Sequence, residues 1–146
     1  CRRMCLLHES GLSCISHVSR RVGEPMLDAL GTRHPTAGVI ADVFHLYKGR
    51  SGLEGVRLLS NRALQVIHMN DYPAEPGPDK IDDSYRVFPG DGVAPLVPML
   101  RTLNQNGGGT VLSLELFNRE YWKQDPETVA RTGLGKMKAV VATAHA

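Results

Sequence analysis

The sequence has few cysteines, no long hydrophobic run and no large excess of either charge. No apolar run is long enough to span a bilayer, and the opening segment Cys-Arg-Arg-Met-Cys lacks the hydrophobic core of a signal peptide. The 17 basic and 15 acidic residues give a net charge of +2, and the arginine pairs at 2–3 and 20–21 are too short for a nucleic-acid patch. We therefore expect neither a membrane nor a nucleic acid as a partner.

The three cysteines are Cys1, Cys5 and Cys14, and all lie near the amino end. Their number is odd and they form no CxxC pair, so we expect no disulfide framework and a reducing, cytoplasmic location. Because the sequence does not begin with Met, we also expect it to start inside a longer protein.

The composition predicts a soluble globular domain, with 42% hydrophobic and 22% charged residues among 146. Short apolar runs alternate with helical patterns along the chain. The predicted strands are 4–9, 38–45, 64–70, 86–88 and 111–117, and the predicted helices are 18–30, 53–59, 93–103 and 126–142. Asp125 is the predicted N-cap of the last helix, which begins at Pro126. Repeated strand–helix units predict an α/β fold with a parallel sheet.

Four predicted strands carry an ionisable side chain near their carboxyl ends. These side chains are Glu9, Asp42, His68 and Glu115. Strand side chains alternate between two faces, so Asp42 shares a face with Ile40, and His68 with Val66. The carboxyl ends of parallel strands meet at one edge of the sheet, where α/β enzymes carry their active sites. A buried charge is costly unless it is paired, so a shared divalent cation is the simplest common partner.

These residues also have plainer interpretations. Asp42 would suit a turn or a helix N-cap, but the residues at 43–47 argue against a turn, so we favour the ligand role. A single histidine such as His68 is more often a core residue than a ligand. Its register with Asp42 and Glu115 favours the ligand role here.

Four segments, in chain order, resemble motifs of the xylose isomerase-like TIM-barrel family. They are ADVFHLYKG at 41–49, VIHMND at 66–71, DSYR with PGDG within 83–92, and LSLELFN at 112–118. They look like strands five to eight of that barrel. The resemblance implies that 1–146 is a single partial domain, in which (β/α) units form the carboxyl-terminal half of a TIM barrel, with strands resembling four or five to eight. Such an incomplete barrel would leave two sheet edges open.

The resemblance also implies one divalent metal ion held by Glu, Asp, His and Glu. Asp42, His68 and Glu115 match three of these ligands, and their donor atoms suit Mn²⁺, Mg²⁺, Co²⁺ or Zn²⁺. In the alignment that we favour, Glu9 is the fourth ligand. A second alignment, anchored on residues 19–20, puts Cys14 at that position and would leave the site damaged.

The activity implied by the resemblance is isomerisation or epimerisation of a sugar or a polyol-derived keto compound. Such enzymes abstract a proton next to a carbonyl with the help of the metal. Glu115 and Glu9 would act as acid and base, and His45 would orient a substrate oxygen at the catalytic centre. Arg86 would bind the substrate through its planar fork of donors, although an ion pair with the aspartates at 82–83 is an alternative.

Other functions stay open at this point. The same metal site would serve a lyase that dehydrates a keto-inositol or dehydroshikimate, because 88–92 and 113–118 also resemble such dehydratases. The chain could instead be a non-catalytic fragment, which would bind no metal. The near-neutral charge disfavours a related DNA-repair endonuclease. We expect a small-molecule substrate, and a homo-oligomer is a further expectation.

Overall fold

The computed structural model describes residues 38–60, 63–107 and 109–146. In this part of the chain three strands form one parallel sheet: β1 is Val39–Asp42, β2 is Leu64–His68 and β3 is Val111–Ser113. Their order is β1-β2-β3, with Asp42 opposite His68 and His68 opposite Ser113. The predicted α/β class with a parallel, unclosed sheet is confirmed.

Within the described ranges, three α-helices and three short 3₁₀ helices connect and flank the strands. The α-helices are α1 (Val43–Lys48), α2 (Leu96–Gln105) and α3 (Pro126–His145), and the 3₁₀ helices are Leu53–Leu58, Asp83–Tyr85 and Tyr121–Lys123. None of the helices in the described ranges is both long and apolar enough to cross a membrane.

The start of α3 follows from its sequence. Asp125 caps the helix by accepting a hydrogen bond from the N–H of Thr128, and Pro126 needs no partner for an N–H at the first position. Helix α2 begins at Leu96, later than the predicted 93, directly after Pro95. Pro98 is tolerated because it lies in the first turn, where a backbone N–H has no partner within the helix.

The hydrophobic core lies on one face of the sheet. It joins strand residues to α2 and α3, and includes Val39, Ala41, Ile67, Leu96, Met99 and Met137. Strand alternation puts Ile40 and Val66 on the opposite face, and both are only partly buried. By the same alternation, Asp42 and His68 lie on this second face, on the side of the sheet opposite Ala41 and Ile67.

Several predicted boundaries are wrong. The strand predicted at 38–45 ends at Asp42, because this residue caps α1. The strand predicted at 111–117 ends at Ser113, so Glu115 lies two residues beyond β3. The strand predicted at 86–88 is reduced to one antiparallel bridge between Asp71 and Val87, and the helix predicted at 53–59 is a 3₁₀ helix.

Some predictions fall outside the described residues. These are the strand at 4–9, the helix at 18–30, and the alternative fourth ligands Glu9 and Cys14.

Candidate metal centre

Asp42 stands at the junction of β1 and α1. Its side chain is almost completely buried, and Oδ1 accepts a hydrogen bond from the N–H of His45 at 3.0 Å, which caps the helix. Oδ2 lies 3.3 Å from Nδ1 of His68. The cap and a place in the site are therefore compatible, because one oxygen of Asp42 caps α1 while the other faces His68.

His68 ends β2 and faces two carboxylates. Its Nδ1 lies 3.3 Å from Oδ2 of Asp42 and 3.1 Å from Oε2 of Glu115. The hydrogen bonds to Asp42 and then to Glu115 raise the pKa of His68 to about 9, and burial opposes this only in part. The imidazole therefore carries a proton near neutral pH when no metal is bound.

Asp42, His68 and Glu115 meet at one end of the sheet. Each offers one ligand atom, and the three atoms lie within 4.8 Å of one another. They converge because the register aligns the ends of β1 and β2, and because the chain after β3 continues past the same edge. Two carboxylate oxygens and an imidazole nitrogen form a donor set that suits a divalent cation. The donor chemistry at this place thus fits the metal that the sequence led us to expect.

Arg86 has a fully buried side chain and touches the same carboxylates. Its Nη1 donates to Oδ2 of Asp42 at 2.8 Å and to Oε2 of Glu115 at 3.0 Å. Its Nε and Nη2 donate to Oδ1 of Asp83 at 3.0 and 2.5 Å. Arg86 does form the ion pair with Asp83 that was the alternative interpretation of the sequence. Its guanidinium, however, is buried.

The charges of this cluster compensate one another. Burial alone would raise the pKa of Asp42, but the hydrogen bond from His68 and the charge of Arg86 outweigh it, so this pKa lies far below its usual value. Burial would lower the pKa of Arg86, yet the charges of Asp42 and Asp83 keep it above its ordinary value. The Asp42 carboxylate is thus ionised and held between two cations.

His45 lies on α1 beside this cluster. Its Nε2 is 3.2 Å from Nη2 of Arg86 and 3.9 Å from Oδ1 of Asp83, and its side chain is 20% exposed. The structure thus brings His45 and Arg86, which the sequence singled out as substrate-binding residues, next to Asp42, His68 and Glu115. Glu9, the predicted fourth ligand, lies outside the described residues.

Two residues of the VIHMND segment were missed as contributors to the site. Asn70 is fully buried and hydrogen-bonds to Asp42, and Asp71 accepts hydrogen bonds from four backbone N–H groups. In the sequence, they are recognisable as two adjacent polar residues at the end of the apolar run that contains β2. Such a pair at the carboxyl end of a parallel strand lies beside the site of an α/β fold.

Comparison with known proteins identifies the architecture. The family model described as xylose isomerase-like TIM barrel matches residues 22–140. The chain is similar to inosose isomerases of Bacillus licheniformis, at 34% identity over 95 residues (65% of this chain, 34% of the relative), and of Bacillus velezensis, at 31% over 104 residues (71% and 37%). The chain thus spans little more than a third of the length of these relatives.

Solved structures share the fold. A crystal structure of the IOLI protein with a binding zinc atom superposes with a TM-score of 0.79 at 23% identity, over 88% of this chain and 46% of that one. A xylose isomerase domain protein from Alicyclobacillus acidocaldarius superposes with a TM-score of 0.70 at 24% identity, over 86% and 44%. The described sheet therefore matches a fragment of a TIM barrel.

Proposed function

Since the chain belongs to the xylose isomerase-like TIM-barrel family, we propose that it is part of an isomerase or epimerase that uses one divalent metal ion. The substrate is a sugar or a polyol-derived keto compound, a class supported by the inosose isomerase relatives. Residues 1–146 form one partial barrel domain, equivalent to strands four or five to eight. The observation that carries the proposal is the convergence of Asp42 and His68, at the ends of two adjacent strands, with Glu115, two residues beyond the third.

The proposed ligands are Asp42, His68, Glu115 and Glu9. The first three offer a carboxylate oxygen, Nδ1 and a second carboxylate oxygen, which suits Mn²⁺, Mg²⁺, Co²⁺ or Zn²⁺. The zinc atom of the IOLI protein supports a metal in this fold. When bound, the ion supplies Lewis-acid stabilisation to two substrate oxygens beside the reacting carbon.

Glu115 is the proposed base. Its side chain is 35% exposed, against 6% for Asp42, so a substrate reaches it more easily than the other described carboxylate among the proposed ligands. An ionised carboxylate can accept the proton from the carbon next to the carbonyl, and proton return to the neighbouring carbon or the opposite face completes isomerisation or epimerisation. Glu9 is the proposed second acid–base group.

His45 and Arg86 are the proposed substrate-binding residues, and His45 is also a proposed catalytic residue. His45 is partly exposed and can donate a hydrogen bond to a substrate oxygen. Arg86 has no exposed side-chain surface, and its donors face Asp42, Asp83 and Glu115. A direct contact between Arg86 and substrate therefore requires one of these bonds to be exchanged for a bond to the substrate.

Deuterium exchange tests the proposed reaction. The Mn²⁺-loaded chain would be incubated with an inosose in D₂O, and the sugar would be followed by mass spectrometry and NMR. We expect one deuteron to enter next to the carbonyl without loss of water. Glu115→Gln should abolish the exchange, whereas Glu127→Gln, an exposed residue on α3, should leave it unchanged. Loss of water would indicate the lyase reaction, and the absence of exchange in a folded, metal-loaded chain would favour the non-catalytic fragment.

A further inference from the structure

Asn70 is a fully buried amide beside the candidate metal ligands, two residues after His68. Its Oδ1 accepts a hydrogen bond from the N–H of Phe44 at 3.0 Å. Because a backbone N–H can only donate, this contact fixes the orientation of the amide. The Nδ2 group must therefore point the other way, where it lies 3.3 and 3.4 Å from the two oxygens of Asp42.

The same Nδ2 group also reaches the segment that follows β3. It lies 3.4 Å from the backbone oxygen of Glu115. A single amide thus links the start of α1, the Asp42 carboxylate and the backbone at Glu115, while Asn70 itself follows the strand that carries His68. Asn70 therefore connects the three chain segments that carry the proposed ligands in the described residues.

We propose that Asn70 is a positioning residue that holds Asp42 and Glu115 at the spacing required for a divalent cation. Its Nδ2 group contacts both oxygens of Asp42, and the N–H of His45 holds Oδ1, so rotation of the carboxylate is restricted and Oδ2 stays towards His68. Hydrogen bonds of this kind orient metal ligands and tune affinity. The inference rests on the proposed function, because it presupposes a bound metal ion.

Asn106 provides a matched control. It is a half-buried asparagine whose Nδ2 also donates to backbone oxygens, in this case those of Val56, Arg57 and Leu59 at 3.3, 3.4 and 3.0 Å. It follows α2 and hydrogen-bonds to none of the three proposed ligands in the described residues. If Asn70 were only structural, alanine at either position would lower stability and leave metal affinity unchanged.

The test compares metal affinity with stability. The chelator-stripped 146-residue chain, Asn70→Ala and Asn106→Ala would be titrated with Mn²⁺ by calorimetry, and each melting temperature would be measured. We expect Asn70→Ala to raise the Kd for Mn²⁺ about 10- to 100-fold, and Asn106→Ala to leave the Kd unchanged. The visible spectrum of the Co²⁺-loaded chain, which reports coordination geometry, should change in Asn70→Ala alone. If Asn70→Ala does not fold, Asn70→Ser, which keeps a small polar group, takes its place in the same comparison.

The outcomes separate this inference from the proposed function. Equal Mn²⁺ affinities and Co²⁺ spectra for the wild type and the Asn70 variant would overturn the positioning role and leave the proposed metal site intact. A folded wild-type chain that binds no Mn²⁺ would overturn the metal site, and the role of Asn70 with it.

Discussion

At the scale of single residues, the proton on His68 would compete with the proposed metal ion for the same nitrogen. The pKa of about 9 means that Nδ1 is protonated near neutral pH, and a bound metal needs the lone pair of that atom. We therefore predict that the apparent affinity for Mn²⁺ rises about tenfold per pH unit below pH 9 and then levels off. Calorimetry in buffers of different ionisation enthalpy should show release of about one proton per ion bound near neutral pH.

His145 provides the control for this pH dependence. It lies at the carboxyl end of α3 and is exposed, so His145→Ala should keep the same slope. An affinity for Mn²⁺ that does not vary with pH, together with binding that releases no proton, would contradict the assigned role of His68.

Arg86 supplies the second residue-scale prediction. Its buried guanidinium faces the carboxylates of Asp42, Asp83 and Glu115, so Arg86→Met removes one of the two cations beside the buried Asp42 carboxylate. We expect the free energy of unfolding to fall by about 3–5 kcal/mol. Arg131→Met removes an exposed pair with Glu127 and should cost only about 0–1 kcal/mol. Urea unfolding measures both, and similar losses would show that the buried cluster contributes no more than a surface pair.

At the scale of elements, Asp71 anchors the loop between its own strand end and α2. Its buried carboxylate accepts from the N–H groups of Tyr72, Gly90, Gly92 and Ala94. Gly92 is required by this close approach, because a Cβ there would collide with the backbone oxygen of Tyr72 and with Oδ1 of Asp71. The anchored loop also carries Val87, which pairs with Asp71 and adjoins Arg86.

We predict that Asp71→Ala lowers the free energy of unfolding by more than about 2 kcal/mol, because several backbone donors lose their acceptor in the interior. Asp125→Ala removes an exposed cap of α3 and should lower the free energy of unfolding by less. Chemical unfolding of the two variants under one condition makes the comparison. A cost for Asp71→Ala no greater than that for Asp125→Ala would contradict the anchoring role.

Local sequence signals predicted some elements better than others. The Asp125 cap and Pro126 predicted where α3 begins, because both signals act within one helical turn. The end of β1 was missed, because the apolar residues after Asp42 fit a strand as well as they fit the buried face of α1. β3 is also shorter than its pattern predicted, and its pairing in this part of the chain is with β2 alone.

At the scale of the whole molecule, the parallel direction of the strands was predictable and the burial of Arg86 was not. Repeated strand–helix units fix a parallel arrangement, which places the strand ends at one edge. That rule alone groups Asp42 with His68. The burial of Arg86 depends on partners 44 and 29 residues away, Asp42 and Glu115, and no local pattern specifies such contacts.

Anomalous X-ray scattering from crystals grown with Mn²⁺ would show whether Asp42, His68 and Glu115 hold one divalent metal ion. We predict one strong anomalous peak within bonding distance of Nδ1 of His68 and of a carboxylate oxygen from each of Asp42 and Glu115, and the loss of that peak in His68→Ala. Well-ordered crystals with Arg86 still paired to both carboxylates and no anomalous peak between them would contradict this prediction.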